Sequence, residues 1–199
     1  SEMCIRDRQY LKGVQEKDTS GLCIVEVEGR GIVNAAETLV EPSMSIITDS
    51  SEVRNRQKEV LKDILNHHDR DCRNCNRTGN CELQDVQHSL RMTKNPAKEA
   101  FEPVAVRTDG YIVRDENKCI RCGRCISVCE KIQGIGAIKM EGDGLDAKVV
   151  PAKRETLLDS GCVGCGQCIT VCPVGALYER NDVDEVLKLV KDPEKFVVI

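Results

Sequence analysis

Tryptophan is absent from this 199-residue chain and aromatic residues make up only 3% of it. The large ring areas that usually dominate a core are therefore not available, and something else must organise the fold. Also missing is any apolar run near the ~20 residues that a membrane helix needs, and no secretory signal opens the sequence. The chain reads as cytoplasmic, with no direct membrane insertion. A formal net charge of −4 comes without a basic patch, which excludes nucleic acid as a partner. No nucleotide-binding glycine motif and no nucleophile beside a base is found, so nothing here points to a catalytic centre.

Cysteine is what the chain has in excess. Thirteen are present, and in an intracellular protein closely spaced cysteines argue for metal ligation, since disulfides belong to secreted chains. Two copies of C-x2-C-x2-C-x3-C stand out, Cys119, Cys122, Cys125 and Cys129, then Cys162, Cys165, Cys168 and Cys172, the last followed by Pro173. This is the bacterial ferredoxin pattern for two [4Fe–4S] clusters. Three cysteines of one tight loop reach three corners of a cubane, and the fourth is expected to open a helix directed at the other cluster. The expected sets are thus Cys119, Cys122 and Cys125 with Cys172, and Cys162, Cys165 and Cys168 with Cys129. Gly123, Gly164 and Gly166 let backbone amides approach the sulfides. Zinc, the bland alternative, prefers C-x2-C pairs separated by longer loops.

A third site is spelled by His68, Cys72, Cys75 and Cys81, spaced H-x3-C-x2-C-x5-C. Four soft or borderline ligands at that spacing suit zinc as well as an iron–sulfur cluster. His67 and His88 read as ordinary solvated or satisfied side chains.

Around these sites the pattern is α+β. Short strands are predicted over residues 22–28, 32–40 and 44–48, making a small β-rich domain. Asp49 and Glu52 have capping-box spacing, and Val53, Val60, Leu61, Ile64 and Leu65 share one face of the helix that follows, with His68 continuing it. Residues 71–84 read as a loop ordered by metal, and 95–103 as a linker. A strand near residues 111–113 precedes the cysteine repeats. Asn181 or Asp182 caps a last helix with Val183, Val186, Leu187 and Val190 on one face, ended before Pro193. Residues 196–199 form an apolar run with nothing to cover it, which reads as a truncated boundary, and residues 1–9 read as a probable non-native leader in which Cys4 has no role.

The order of His68, Cys72, Cys75 and Cys81, a linker and then the two four-cysteine repeats resembles the amino-terminal relay of iron-only hydrogenases. The ending CGQCITVCPVGAL, a helix and DPEKFVVI is similar to the segment where those enzymes pass into their catalytic domain. The resemblance covers residues 10–199. It extends to NAD-linked formate dehydrogenases and, over the first half, to the large iron–sulfur subunit of complex I. It implies a [4Fe–4S] cluster at the His68 site, hence three such clusters in all. It also implies redox partners, either a flavin- or NADH-oxidising subunit or a ferredoxin, and a hydrogenase catalytic domain absent from this chain. The family begins with a plant-type [2Fe–2S] domain that needs four cysteines. Here Cys23 matches one of those positions, while Gln9, Ser20 and Ala36 occupy the others, so the [2Fe–2S] cluster is predicted absent. The resulting layout is a degenerate β-grasp ferredoxin-like domain at 10–49, a helical His/Cys3 cluster domain at 50–95, a two-cluster ferredoxin-like domain at 104–180, and a helix and strand at 181–199. A standalone ferredoxin-like carrier subunit is the reading of a different class.

Overall fold

The computed structural model describes residues 21–92, 103–142, 146–153 and 155–194. The predicted leader, Gln9, Ser20, most of the 95–103 linker and the terminal apolar run lie outside these residues.

Alternation of Val25 and Val27 with Ile24 and Glu26 suits a strand with one buried face. It becomes β1 (Ile24–Val27), with both valines buried. Gly29 and Gly31 take the left-handed backbone that the tight return requires, and β2 (Gly31–Asn34) pairs antiparallel with β1. On the other side of β1 lies β3 (Ile46–Ile47). The second strand ends well short of the predicted residue 40, because the Asn34 side chain accepts a hydrogen bond from the Ala36 amide and turns the chain.

Helix α1 (Ser51–Asn66) follows. Its cap is Ser50, whose hydroxyl accepts from the Val53 amide at 3.2 Å; the predicted Asp49 stands one residue too early. Val53, Gln57, Leu61 and Leu65 form the buried face, with Val60 and Ile64 at its margin. Gln57 anchors that face to the first sheet through a hydrogen bond to the Leu22 carbonyl. Next, the predicted loop at 71–84 is interrupted by helix α2 (Glu82–Ser89), which buries Leu83 and Val86.

The cysteine repeats are framed by a second antiparallel sheet in which β5 (Ile112–Arg114) runs between β4 (Arg107–Asp109) and β8 (Leu177–Glu179). A separate hairpin, β6 (Ile138–Glu141) with β7 (Lys148–Pro151), lies between the repeats. Each repeat carries one short helix, α3 (Arg124–Ser127) and α4 (Gln167–Thr170), each preceded by a left-handed glycine, Gly123 and Gly166. The internal repeat of the sequence is therefore a repeat of backbone geometry.

One core joins these parts, and cysteines belong to it. Leu61, Leu65, Leu157, Val174 and Leu177 pack with Cys81, Cys125, Cys129, Cys168 and Cys172. Each fully buried leucine contributes roughly 1.5–3 kcal/mol. Helix α5 (Val183–Lys191) stands apart: Asn181 accepts from the Val183 amide at its start, and its apolar face of Val183, Val186, Leu187 and Val190 is exposed. Among the described residues no helix is long and apolar enough to cross a membrane.

Candidate iron–sulfur sites

In the first repeat Cys119 and Cys122 lie on the loop leading into α3, and Cys125 lies on the helix itself. Cys129 sits in the wider helical turn that extends α3, and Cys172 follows α4. Neither fourth cysteine opens a helix, since Cys129 lies within the helical run that continues to Ile132 and Cys172 follows α4; the prediction that it opens one is corrected. Cys119, Cys122, Cys125 and Cys172 line one cavity together with Pro173, Val174 and Ala176. Burial pushes the Cys119, Cys122 and Cys125 thiols up, Cys122 to about 12, and in all three the nearby Cys172 adds to the rise. Cys168 is also pushed up to about 12 by burial, with Cys162, Cys129 and Cys165 adding to it. Cys172 thus shares the cavity of the first repeat's leading cysteines, and Cys129 lies near enough to Cys168 to raise it.

Backbone amides reach the sulfurs as well. Ala137 donates to Cys129 Sγ at 3.3 Å and Arg121 to Cys119 Sγ at 3.4 Å. Arg121 holds a left-handed backbone at the position that Gly164 fills in the second repeat. At Gly164 a side chain is also excluded by the Tyr111 ring, 2.9 Å from where a Cβ would stand.

His68, Cys72, Cys75 and Cys81 line a second cavity, of about 170 Å³. The His68 ring lies just past the end of α1, and Cys81 precedes α2. Burial lowers His68 to about 4, so its ring is neutral near pH 7. The ring hydrogen-bonds to the Lys118 backbone, while Nδ1 is buried with no hydrogen-bond partner. A neutral imidazole with one nitrogen fixed and the other unpaired fits a metal ligand. Burial also raises the Cys81 thiol, with Cys75 and Cys72 contributing. Among the described residues no three acidic, histidine or cysteine side chains converge on a single-ion position. The four donors line a shared cavity. His67, by contrast, is half-buried with Nδ1 2.9 Å from the Asp63 carbonyl oxygen, and His88 is exposed.

Residues 118–176 match the family described as 4Fe-4S dicluster domain, and residues 57–96 match the NADH-ubiquinone oxidoreductase-G iron-sulfur binding region. The chain is an iron–sulfur electron-transfer segment, similar to those of hydrogenase subunits and NADH-G-like modules. This segment is 36% identical to the NADP-reducing hydrogenase subunit HndD of Solidesulfovibrio fructosivorans over 99% of its own length and 34% of the relative's. It is 38% identical to iron hydrogenase 1 of Clostridium pasteurianum over 89% of its length and 31% of that protein's. The segment thus spans about a third of the length of these two relatives. Its fold matches a chain of a NAD+-reducing [NiFe]-hydrogenase solved in the H2-reduced state, with a TM-score of 0.76 at 21% identity, covering 90% of this chain and 79% of that one.

Several contacts between the two cysteine-rich regions gave no signal in the sequence. Arg124, buried on α3, forms a two-pronged ion pair with Glu82 on α2, at 2.7 and 2.9 Å. Arg77 donates to the Ile169 carbonyl at 2.9 Å, and the Glu82 amide donates to the Pro173 carbonyl at 3.1 Å. Arg114 lines the Cys119 cavity, paired with Asp109 at 2.5 Å.

Proposed function

We propose that this segment relays single electrons through three [4Fe–4S] clusters. One is held by His68, Cys72, Cys75 and Cys81, one by Cys119, Cys122, Cys125 and Cys172, and one by Cys162, Cys165, Cys168 and Cys129. The observation that carries the reading is that Cys172 of the second repeat lines one cavity with Cys119, Cys122 and Cys125 of the first, a four-thiol set of the kind a cubane requires. When bound, each cluster takes up and gives back one electron. The chain's own residues hold the clusters near one another, exclude water with Val174, Leu177 and Ala137, and aim the Ala137 and Arg121 amides at ligand sulfurs, where such bonds set the potential. Because burial keeps several of these thiols protonated in the cluster-free chain, loading expels protons and is favoured as pH rises.

The first sheet serves as a degenerate β-grasp scaffold without a [2Fe–2S] cluster. Cys23 is 1% exposed inside the core and Ala36 lies exposed with no donor atom in its side chain. The domains follow the boundaries 10–49, 50–95 and 104–180. The segment works in the cytoplasm as the electron-transfer arm of an iron-only hydrogenase, between a flavin- or NADH-oxidising subunit or ferredoxin and a hydrogenase catalytic domain; the lengths and names of its relatives support this. Anaerobic reconstitution with iron counting tests the reading: three cubanes bring about 12 irons per chain, and a further [2Fe–2S] cluster about two more. Mössbauer spectra resolving a two-iron component, or only enough iron for two cubanes, would overturn the count.

A further inference from the structure

Gly175 belongs to the dicluster half, three residues beyond Cys172, yet it lines the cavity of His68, Cys72, Cys75 and Cys81. Its backbone is not left-handed, so glycine is not needed there for conformation. It is needed for space. A Cβ at this position would stand 2.5 Å from Cys75 Sγ and would also collide with Asn76 Oδ1. In the cluster-free chain both groups are ends of rotatable side chains and can turn aside at little cost. Once Cys75 is a ligand, its sulfur is fixed and the collision cannot be relieved.

The rest of this turn grips the same site. The Pro173 carbonyl accepts from the Glu82 amide, next to Cys81, and Arg77, between Cys75 and Cys81, is held by the Ile169 carbonyl. The turn is located at one end by Cys172 and at the other by β8, paired to β5. Among the described residues, the cavity of Cys119, Cys122, Cys125 and Cys172 is lined by residues between Arg114 and Leu177, with none from the His68 region, whose Glu82–Arg124 pair lies outside that cavity.

We propose that Gly175 and the turn from Cys172 are positioning elements for a cluster they do not ligate. Assembly of the His68 cluster then requires Cys172 to be fixed by the neighbouring cluster, whereas that cluster assembles without the His68 site. This rests on the ligand sets given above.

The experiment uses the full chain, grown with 15N-histidine, reconstituted anaerobically and reduced. Pulse EPR detects the imidazole nitrogen coupling that marks the His68 cluster, and Mössbauer spectra count the cubanes. Gly175→Ala is expected to lower the nitrogen-coupled signal about tenfold, the scale of an overpacking strain, while the other two clusters and the melting of the cluster-free chain stay unchanged. Cys172→Ala is expected to remove two clusters including the nitrogen-coupled one, and Cys165→Ala only one, sparing it. A full nitrogen-coupled signal in Gly175→Ala or Cys172→Ala overturns the inference, as does loss of all three clusters in Gly175→Ala. Absence of nitrogen coupling in the unaltered chain instead overturns ligation by His68, and the inference with it.

Discussion

With its ring buried and Nδ1 unpaired, His68 takes up a proton in the folded chain only near pH 4, against about 6.5 for a free side chain. Between those values the unfolded chain binds more protons than the folded one. The neutral ring therefore contributes stability that is present above about pH 6.5 and is lost as pH falls toward about 4. The full loss is about 3 kcal/mol. Urea titrations of the cluster-free protein should show the midpoint falling across that window, and His68→Gln should flatten the fall. In the loaded protein, replacing imidazole by thiolate adds negative charge, so His68→Cys should lower the midpoint potential of that cluster, as the reverse exchange raises it in Rieske centres. A redox titration showing no shift with the cluster intact would count against ligation by His68.

At the scale of elements, α1 sets the position of His68, and its start hangs on one hydroxyl. Ser50→Ala should cost about 1 kcal/mol in denaturant unfolding, while Asp49→Ala should cost much less, because Ser50 alone accepts from Val53. The capping pattern in the sequence pointed to the right turn and the wrong residue, since serine and aspartate stand side by side and both can cap. The cysteine repeats were legible because ligation is written in local spacing, and their helices begin at glycines visible beforehand. Helix α2 was hidden by the polar, cysteine-rich stretch before it, although Leu83, Val86 and Leu90 are spaced along one helical face. The Glu82–Arg124 pair, 42 residues apart in the chain, had no local signature at all.

Across the whole molecule, the buried Arg114–Asp109 pair ties the second sheet to the hairpin between the repeats, because Arg114 also donates to the Val149 carbonyl at 2.7 Å. Arg114→Met leaves the Asp109 carboxylate buried without its partner, and equilibrium unfolding should show a loss of about 3 kcal/mol or more. Replacing Asp109 by Leu as well should recover much of it, since both charges are then gone. The crossing of Cys129 and Cys172 has one more consequence, in polymer terms. A clip joining Cys119 to Cys172 closes a long loop, and the stretch from Cys129 to Cys168 lies wholly inside it. The entropy lost in closing the outer loop already brings the inner ends together, so the second closure costs far less than the first. Formation of either clip should therefore make the other cheaper to form, and a chain that has lost one keeps its topology, held by the other.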